Sequence, residues 1–226
     1  MEIIAHRGYA AAFPENTLAA FRGAARTADW IELDVRRCGS GELVVFHDET
    51  LDRCTGAAGS VACTPWRDLR DLTVLDSGEG IPRLREAFGA IPEDVGVLVE
   101  LKDLGLAADV RDVARAHGNP WTAISFSLLA LQELRAAAPD APSGYILHGD
   151  LYEGAPALGV ETAAHLGCRA IHPPYAMGTD PDVIDLADEH GLAVHAATPE
   201  EGPTGAVLET CRSAGVDRVV VDRIPG

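Results

Sequence analysis

Charged side chains, three of them carboxylates, stand in alternating positions along two apolar runs of the chain. Glu32 and Asp34 alternate in one run, and Glu100 and Lys102 alternate in another. In a β-strand, residues two positions apart lie on one face, about 6.6 Å from each other, so each pair can point to the same side of a sheet. Burying three carboxylates together without a cation costs several kcal/mol per ion. Either these carboxyl groups are protonated or a metal lies among them, and three hard oxygen ligands suit Mg²⁺ or Ca²⁺ rather than zinc.

Histidine and basic side chains accompany these carboxylates. His6 and Arg7 follow the first apolar run, and His47 follows another run at Leu43–Phe46. Lys102 is the only lysine among 18 lysine and arginine residues, and it ends an apolar run, where a charge is costly unless it is paired. Purely structural roles are the alternatives: a core histidine at His6, an ion pair of Glu32 and Asp34 with Arg36, and an ion pair of Lys102 with Glu100.

Short β-branched runs alternate with Ala- and Leu-rich helical stretches, a pattern that builds a parallel sheet covered by helices. Eight such units in 226 residues favour an α/β fold, a small closed (β/α)8 TIM barrel, over an open doubly wound sheet. The predicted strands are Ile3–Ala5, Trp30–Val35, Val95–Leu101, Thr122–Ser125, Ser143–Leu147, Ala170–His172, Ala193–Ala196 and Arg218–Val221. The predicted helices lie near Thr17–Arg26, Arg83–Phe88, Ala107–His117, Leu128–Ala137, Gly159–Leu166, Pro181–Glu189 and Gly205–Ser213.

The run Leu43–Phe46 breaks this rhythm, because only seven residues separate it from Trp30–Val35. Two of the seven are glycines, which suits a hairpin better than a parallel crossover of about a dozen residues or more. We therefore expect Leu43–Phe46 to lie outside the barrel, in an insertion from about residue 36 to residue 82. The insertion would lie at the carboxyl end of the barrel, where active sites of such barrels form. Residues 1–226 are expected to form one domain.

The composition excludes several classes of partner. A net charge of −17 at pH 7 repels nucleic acid and anionic membranes. No apolar run approaches the ~20 residues of a membrane helix, and the insertion contains no basic amphipathic helix. Five cysteines without CxxC spacing disfavour a zinc site or a disulfide framework, and Cys54 and Cys63 are the pair close enough to bridge one loop. We expect a cytoplasmic protein that binds a small molecule and has no stable membrane association.

Six ordered motifs resemble those of the glycerophosphodiester phosphodiesterase family. A single tripeptide would be weak evidence, but six motifs in order and at familiar spacing are highly specific. The resemblance is dense over the first 102 residues and continues more thinly through Ile81–Leu84, Ser125-Phe126 and Val219–Arg223. The six motifs are His6-Arg7-Gly8, Pro14-Glu15-Asn16-Thr17, Glu32-Leu33-Asp34-Val35, Val44-Val45-Phe46-His47-Asp48, Leu51-Asp52-Arg53-Cys54-Thr55-Gly56 and Val99-Glu100-Leu101-Lys102.

The resemblance implies a metal-dependent hydrolase that converts glycerophosphodiesters to glycerol 3-phosphate and an alcohol. A metal and two cations would stabilise charge on the phosphate oxygens, and two histidines would move protons to and from the reacting oxygens. Attack by the glycerol 2-hydroxyl through a cyclic phosphate and direct attack by water both stay open. The implied site residues are Glu32, Asp34 and Glu100 as ligands of Mg²⁺ or Ca²⁺, His6 and His47 as the acid–base pair, and Arg7 and Lys102 as phosphate-binding cations.

One stretch departs from the family pattern. Many members end the penultimate strand with Trp-Thr-Val-Asn, whereas this chain has Val194-His195-Ala196-Ala197-Thr198. Choline, ethanolamine, glycerol and lysolipid-type head groups therefore stay open. Three other functions are alternatives: a lysophospholipase D-like or phospholipase C-like phosphodiesterase, a metal-dependent barrel enzyme of another class, and a binding protein without activity. Asp48 is a candidate for orienting His47, Asn16 and Thr17 are candidate helix caps, and Phe126, Tyr145 and Tyr175 are candidate lining residues.

Overall fold

Eight parallel strands close into a barrel in the computed structural model, which describes residues 1–152, 154–199 and 202–224. A ninth, short strand lies outside the ring. The strands are β1 (Glu2–Ala5), β2 (Trp30–Arg37), β3 (Leu43–Val45), β4 (Gly96–Leu101), β5 (Trp121–Ser125), β6 (Ser143–Ile146), β7 (Ala170–His172), β8 (Ala193–Ala197) and β9 (Arg218–Val221). Around the barrel the order is β1, β2, β4, β5, β6, β7, β8 and β9, and pairing of β1 with β2 closes it. The predicted TIM barrel is confirmed, and each predicted barrel strand forms to within two residues.

Strand β3 is the hairpin partner that the short connection predicts. It runs antiparallel to the end of β2, with Val35 opposite Val45 and Arg37 opposite Leu43. The insertion that follows has an apolar cluster of its own, separate from the main core. Because this cluster is buried, the insertion forms a folded cap beside the carboxyl end of the barrel. Its buried members are Cys38, Val44, Phe46, Leu51, Cys54, Val61, Leu69, Val74 and Ile81.

The helices begin and end at residues with the expected capping chemistry. The Thr17 hydroxyl accepts a hydrogen bond from the Ala20 amide, so Thr17 rather than Asn16 caps the first helix. Proline occupies the first turn of two later helices, at Pro156 and Pro181. The helices are α1 (Leu18–Ala24), α2 (Asp52–Thr55), α3 (Trp66–Leu69), α4 (Leu84–Ala90), α5 (Ala107–Arg115), α6 (Leu128–Ala137), α7 (Gly149–Tyr152), α8 (Pro156–Leu166), α9 (Tyr175–Gly178), α10 (Pro181–Glu189) and α11 (Gly205–Ala214).

Alternation along the strands separates two environments. Ile31, Leu33 and Val35 of β2 belong to the core between sheet and helices, so Glu32 and Asp34 face the barrel interior. The lower interior is filled by apolar side chains, and we call this cluster the barrel floor. It consists of Ile4, Leu98 and Ile124, packed with Trp30, Ile146 and Val220.

The barrel floor depends on a glycine. A Cβ atom at Gly96 would lie 2.3 Å from the Trp30 ring, so only glycine leaves room for the indole. The Trp30 indole N–H donates to Glu2 at 3.0 Å, and the Arg218 guanidinium lies 4.0 Å from the ring centroid. These contacts close the amino end of the barrel below the site.

The cysteines and the helix lengths bear on two further expectations of the sequence. All five cysteines are free, with Cys54 buried and Cys63 exposed, so the possible bridge between them is not formed. Across 1–152, 154–199 and 202–224, no helix has both the length and the apolar character needed to span a bilayer.

Candidate active site

The three predicted metal ligands come together inside the barrel. Glu32 and Asp34 project from β2, and Glu100 projects from the adjacent β4, where it lies opposite Asp34 in the register. Their side chains each offer an oxygen within 4.8 Å of the others. All three residues are buried. Period-2 alternation on two neighbouring strands is therefore sufficient to assemble the carboxylate cluster.

The carboxylate cluster fits a divalent cation. Glu32 Oε1 and Asp34 Oδ1 are buried without a hydrogen-bond partner among the described residues. Burial and the charge of Asp34 raise the pKa of Glu32 to about 8, and the same two causes raise the pKa of Glu100. A hard cation that prefers oxygen ligands would bind the unpaired oxygens and neutralise the poorly tolerated negative charge. The residues present thus fit a divalent cation with oxygen ligands.

Arg7 and Lys102 surround the cluster with positive charge. Lys102 Nζ donates to Glu100 Oε1 at 2.7 Å and lies 3.6 Å from Asp34 Oδ1, and Arg7 Nε lies 3.3 Å from Asp34 Oδ2. Burial alone would raise the pKa of Asp34, but Arg7 and Lys102 hold it below its usual value. The alternative ion pair with Arg36 does not form, because Arg36 donates to Asp103 instead, at 2.7 Å.

His6 lies at the end of β1 beside the carboxylates. Its Nδ1 atom is 2.7 Å from Asp222 Oδ1, and its Nε2 atom is 3.9 Å from Glu32 Oε2. Burial would lower the pKa of His6, but the hydrogen bond to Asp222 and the charge of Glu32 outweigh it, so the pKa is raised. Asp222 belongs to the thin terminal part of the family resemblance, and the sequence alone assigned it no role.

His47 reaches the same cavity from the insertion. Its Nδ1 atom lies 2.6 Å from Asp48 Oδ1, and its backbone carbonyl accepts a hydrogen bond from Arg36 Nε at 2.9 Å. Burial lowers the pKa of His47, and the nearby Arg7 and Lys102 lower it further, against the opposing effect of Asp34. Asp48 therefore orients the ring, and Arg36 holds the backbone from which it projects.

A chain of ion pairs joins the insertion to the barrel. Arg53 of the insertion donates to both carboxylate oxygens of Glu15, each at 2.8 Å, and also to Asp48. Glu15 in turn accepts from Arg7 Nη1 at 2.9 Å. This Glu15–Arg53 bridge connects the orienting partner of His47 to a cation at the carboxylate cluster. Sequence reasoning missed it, although Glu15 and Arg53 both stand in the motifs that carry the family resemblance.

The backbone is strained at two residues of the site. Arg7 has φ of 49° and Asn16 has φ of 58°, in the left-handed region that non-glycine residues seldom adopt. Arg7 in this conformation donates its amide N–H to Glu32 Oε2 at 2.9 Å. Asn16 donates its side-chain amide to Asp34 Oδ2 at 2.8 Å. Strain at both positions is thus used to hold the carboxylates in place.

One cavity of about 340 Å³ is bounded by both predicted histidines and by two of the three carboxylates of the cluster. His6, Arg7, Glu32, His47 and Glu100 line one side of it. On the far side the rings of His172 and His195 meet at right angles, with His195 Nδ1 3.3 Å from His172 Nε2. Of the three aromatic candidates only Phe126 lines the cavity, because Tyr145 and Tyr175 pack in the core outside the barrel.

Acid should destabilise the folded state through His172. Burial, with Arg218 nearby, lowers the pKa of His172 to about 3, whereas a histidine in the unfolded chain titrates near about 6.5. At pH values between these two pKa values the unfolded state binds more protons than the folded state. The free energy of unfolding is therefore largest at neutral pH and decreases as the pH falls. We expect this histidine to lower the free energy of unfolding by on the order of 2 kcal/mol from pH 7 to pH 5.

Denaturant unfolding at both pH values measures the effect. The His172→Leu variant should lose less stability between pH 7 and pH 5 than the unaltered protein, and the exposed His165→Leu should behave like the unaltered protein. If His172→Leu loses as much free energy of unfolding between pH 7 and pH 5 as the unaltered protein does, the prediction is wrong.

Comparison with known proteins agrees with this geometry. The model of the glycerophosphoryl diester phosphodiesterase family matches residues 6–103. The chain is 29% identical to a glycerophosphodiester phosphodiesterase of Caldanaerobacter subterraneus, over 97% of this chain and 93% of that protein. An Oleispira antarctica phosphodiesterase, solved in complex with the product sn-glycerol-3-phosphate, is 29% identical with a TM-score of 0.84, covering 98% of this chain and 93% of that one.

A further solved structure extends this similarity. A glycerophosphodiester phosphodiesterase from Agrobacterium tumefaciens is 30% identical, with a TM-score of 0.81, and the alignment covers 99% of this chain and 96% of that one. The segment that matches the family model begins at His6 and extends past Lys102, so it contains all the predicted site residues. Sequence and fold agree over nearly the whole length, and the chain belongs to the glycerophosphodiester phosphodiesterase family of phosphoric diester hydrolases.

Proposed function

We propose that the chain hydrolyses glycerophosphodiesters to glycerol 3-phosphate and an alcohol, with Mg²⁺ or Ca²⁺ at the carboxylate cluster. The observation that carries the proposal is the meeting of two histidines, two cations and three carboxylates around one end of the barrel. The product complex of the Oleispira relative supports glycerol 3-phosphate as a product. In the proposal residues 1–226 work as one domain on small-molecule diesters in the cytoplasm.

Glu32, Asp34 and Glu100 would hold the metal. When bound, a divalent cation supplies positive charge for the phosphate oxygens as negative charge develops on them. Asn16 and the Arg7 amide hold Asp34 and Glu32 through hydrogen bonds, so the carboxylates need little reorganisation.

His6 and His47 divide the proton transfers in this proposal. The hydrogen bond from His6 to Asp222 stabilises the protonated ring, which suits the group that takes a proton from the attacking hydroxyl or water. Arg7 and Lys102 disfavour the protonated form of His47, so a proton on that ring is readily given to the leaving alcohol. Arg7 and Lys102 also provide the charge that would bind the phosphate.

Phosphorus NMR tests the reaction directly. Chelator-stripped protein is mixed with glycerophosphocholine and glycerophosphoethanolamine, before and after addition of Mg²⁺ or Ca²⁺, at low and high salt. We expect the glycerol 3-phosphate resonance to appear only after a metal is added. A folded protein that binds metal and converts neither diester, nor glycerophosphoglycerol, would contradict the proposed function.

Lys102→Met should weaken phosphate binding while the barrel still folds. The substitution removes a partly buried cation from beside Asp34 and Glu100 but keeps an unbranched side chain of similar length. We expect the inhibition constant of inorganic phosphate to rise about 10-fold or more, because charge-assisted hydrogen bonds to phosphate are strong. Lys102→Arg, which keeps the charge, should retain more of the affinity. Unchanged inhibition of Lys102→Met would argue against contact between Lys102 and the phosphate.

Arg53→Met should reduce turnover although Arg53 does not line the cavity. Loss of the Glu15–Arg53 bridge frees Asp48, and a small displacement of an oriented catalytic ring can cost about 100-fold in rate. We expect kcat to fall by about 10- to 100-fold with little change in KM. Arg53→Lys should restore little, because a lysine cannot reproduce the paired hydrogen bonds to one carboxylate. The exposed Arg67→Met is the matched control, and an equal loss there would reject the positioning role.

A further inference from the structure

The far wall of the cavity carries an imidazole pair that the proposed reaction does not use. Across the ring of eight strands, β7 faces β2 and β8 faces β4. His172 of β7 and His195 of β8 therefore lie on the opposite side of the cavity from the carboxylate cluster. A diester whose phosphate lies at the cluster would extend an organic group toward this pair.

The fold provides space for both rings. His172 and His195 are both buried, and their rings meet edge to face with centroids 4.6 Å apart. A Cβ atom at Gly144 of β6 would lie 2.6 Å from His172 Nε2, so the absence of a side chain there makes room for the imidazole. Two polar rings in a barrel whose lower interior is apolar require hydrogen-bond partners.

The hydrogen bond between the rings leaves one nitrogen of each ring for a ligand. His195 Nδ1 and His172 Nε2 satisfy each other, whereas His195 Nε2 and His172 Nδ1 make no hydrogen bond to any residue that the structure describes. A neutral imidazole has one N–H and one bare nitrogen. Whichever ring donates in the shared bond, the two remaining nitrogens are therefore one donor and one acceptor. A hydroxyl group, which both donates and accepts, matches this pair.

The surroundings of the pair favour an uncharged ligand. Burial lowers the pKa of both histidines, so the rings are neutral at physiological pH. Their neighbours in the cavity wall include Ile146, Ala197 and Val220, which suit the carbon atoms of a small alcohol. Asp222, which also lines the cavity, is already bound by His6. A quaternary ammonium neither donates nor accepts a hydrogen bond, so it would leave both remaining nitrogens without a partner.

The position of the histidines identifies which arm of the diester lies there. In the proposed reaction the leaving alcohol lies beside His47, which the insertion brings in next to β2. His6 projects from β1, and β9, β8 and β7 follow β1 on the side away from β2. The arm that stays on phosphorus must occupy the space away from the leaving group, whichever nucleophile attacks. That arm is the glycerol.

We propose that His172 and His195 form a subsite for a free hydroxyl of the glycerol arm, and that this subsite makes the enzyme select diesters with a glycerol arm. The inference rests on the proposed function, because it takes the position of the glycerol arm from the roles of His6 and His47. It adds a specificity determinant on the wall opposite the phosphate site.

A binding cycle between ligand hydroxyls and histidines tests the subsite. Calorimetry in the presence of Mg²⁺ gives the affinities of glycerol 3-phosphate and of propyl phosphate, which lacks both hydroxyls, for the unaltered protein and for His172→Leu/His195→Leu. We expect the unaltered protein to prefer glycerol 3-phosphate by about 10- to 100-fold, since unmade buried hydrogen bonds are costly. In the double variant the preference should fall to about 3-fold or less.

Two further variants keep the test decisive. His190→Leu makes the same chemical change at an exposed histidine outside the cavity and should retain the full preference. If the double variant does not fold, His195→Asn should still lower the preference, because the shorter side chain cannot reach as far. An undiminished preference in the folded variants would overturn the subsite.

Turnover separates failure of the subsite from failure of the proposed function. Hydrolysis of glycerophosphocholine is compared with that of propyl phosphocholine, which has the same leaving group. If the unaltered protein hydrolyses the glycerol diester but the histidine variants lose no selectivity in binding, the subsite is wrong and the function stands. If the unaltered protein shows the binding preference but hydrolyses neither diester, the function is wrong and the subsite stands.

Discussion

Glu32→Gln should remove metal binding and activity together while the fold is retained. Glutamine keeps the shape of the buried side chain but carries no charge, so its carbonyl oxygen is a much weaker ligand than the carboxylate. We expect the affinity for Mg²⁺ or Ca²⁺ to fall by about 100-fold or more, and kcat/KM to fall by about 1,000-fold or more. Mutation of a residue that only hydrogen-bonds to a metal ligand already costs about 10- to 100-fold in metal affinity or activity. Isothermal calorimetry and the phosphorus NMR assay measure the two losses.

The same variant should show that the loss is local. Because burial and Asp34 raise the pKa of Glu32 to about 8, its negative charge is poorly tolerated without metal, and glutamine removes that charge. The metal-free variant should therefore melt no lower than the unaltered protein, and only the unaltered protein should gain stability when metal is added. Glu189→Gln, at an exposed position, is the matched control. Wild-type metal affinity in Glu32→Gln would show that Glu32 is not a ligand.

His47→Ala should have an effect that depends on the leaving group. With choline as the leaving group, loss of a general acid is expected to lower kcat by about 100- to 10,000-fold. With p-nitrophenolate, which leaves without a proton, the loss should be under about 10-fold. Steady-state kinetics on glycerophosphocholine and the p-nitrophenyl diester of glycerol phosphate give the two ratios.

His6→Ala provides the complementary result. The group that takes a proton from the nucleophile is needed with either leaving group. Its removal should therefore lower turnover of both diesters by similar factors. The exposed His190→Ala is the control for replacing a histidine elsewhere and should change neither rate. Equal losses with both leaving groups in His47→Ala would contradict its role as the acid.

The barrel and the carboxylate cluster could be predicted because they depend on local patterns. β-branched runs at regular spacing specify the strands, and period-2 alternation places Glu32 and Asp34 on the interior face beside Glu100. The seven-residue connection was enough to place Leu43–Phe46 in a hairpin, since a parallel return is longer. Each of these inferences needs only residues that are near one another in the chain or on adjacent strands.

The Glu15–Arg53 bridge could not be predicted in the same way. Glu15 precedes the first helix and Arg53 lies in the insertion, so their contact depends on how the insertion packs on the barrel. Asn16 raises a similar difficulty, because an Asn before a helix is an ordinary cap. Its bond to Asp34 depends on a left-handed backbone that the sequence does not reveal.

The His172–His195 contact left a signal that could have been used. Both residues occupy interior positions of neighbouring strands, because Ile171 and Val194 belong to the core on the outer face. The same alternation that located the carboxylates thus applies to them. What the sequence lacks is the relative height of the two strands in the barrel, which sets whether the rings meet or miss each other.

The barrel floor also determines how molecules enter and leave. Because Trp30, Ile4 and Leu98 fill the barrel beneath the site, the substrate and both products pass through the carboxyl end. In the proposed reaction, the phosphorylated product is the one that the carboxylate cluster, Arg7 and Lys102 would hold at the closed end of this path. Accumulated glycerol phosphate would therefore compete with incoming diester for the empty enzyme. The rate of the proposed reaction would then depend on how quickly its phosphorylated product is removed.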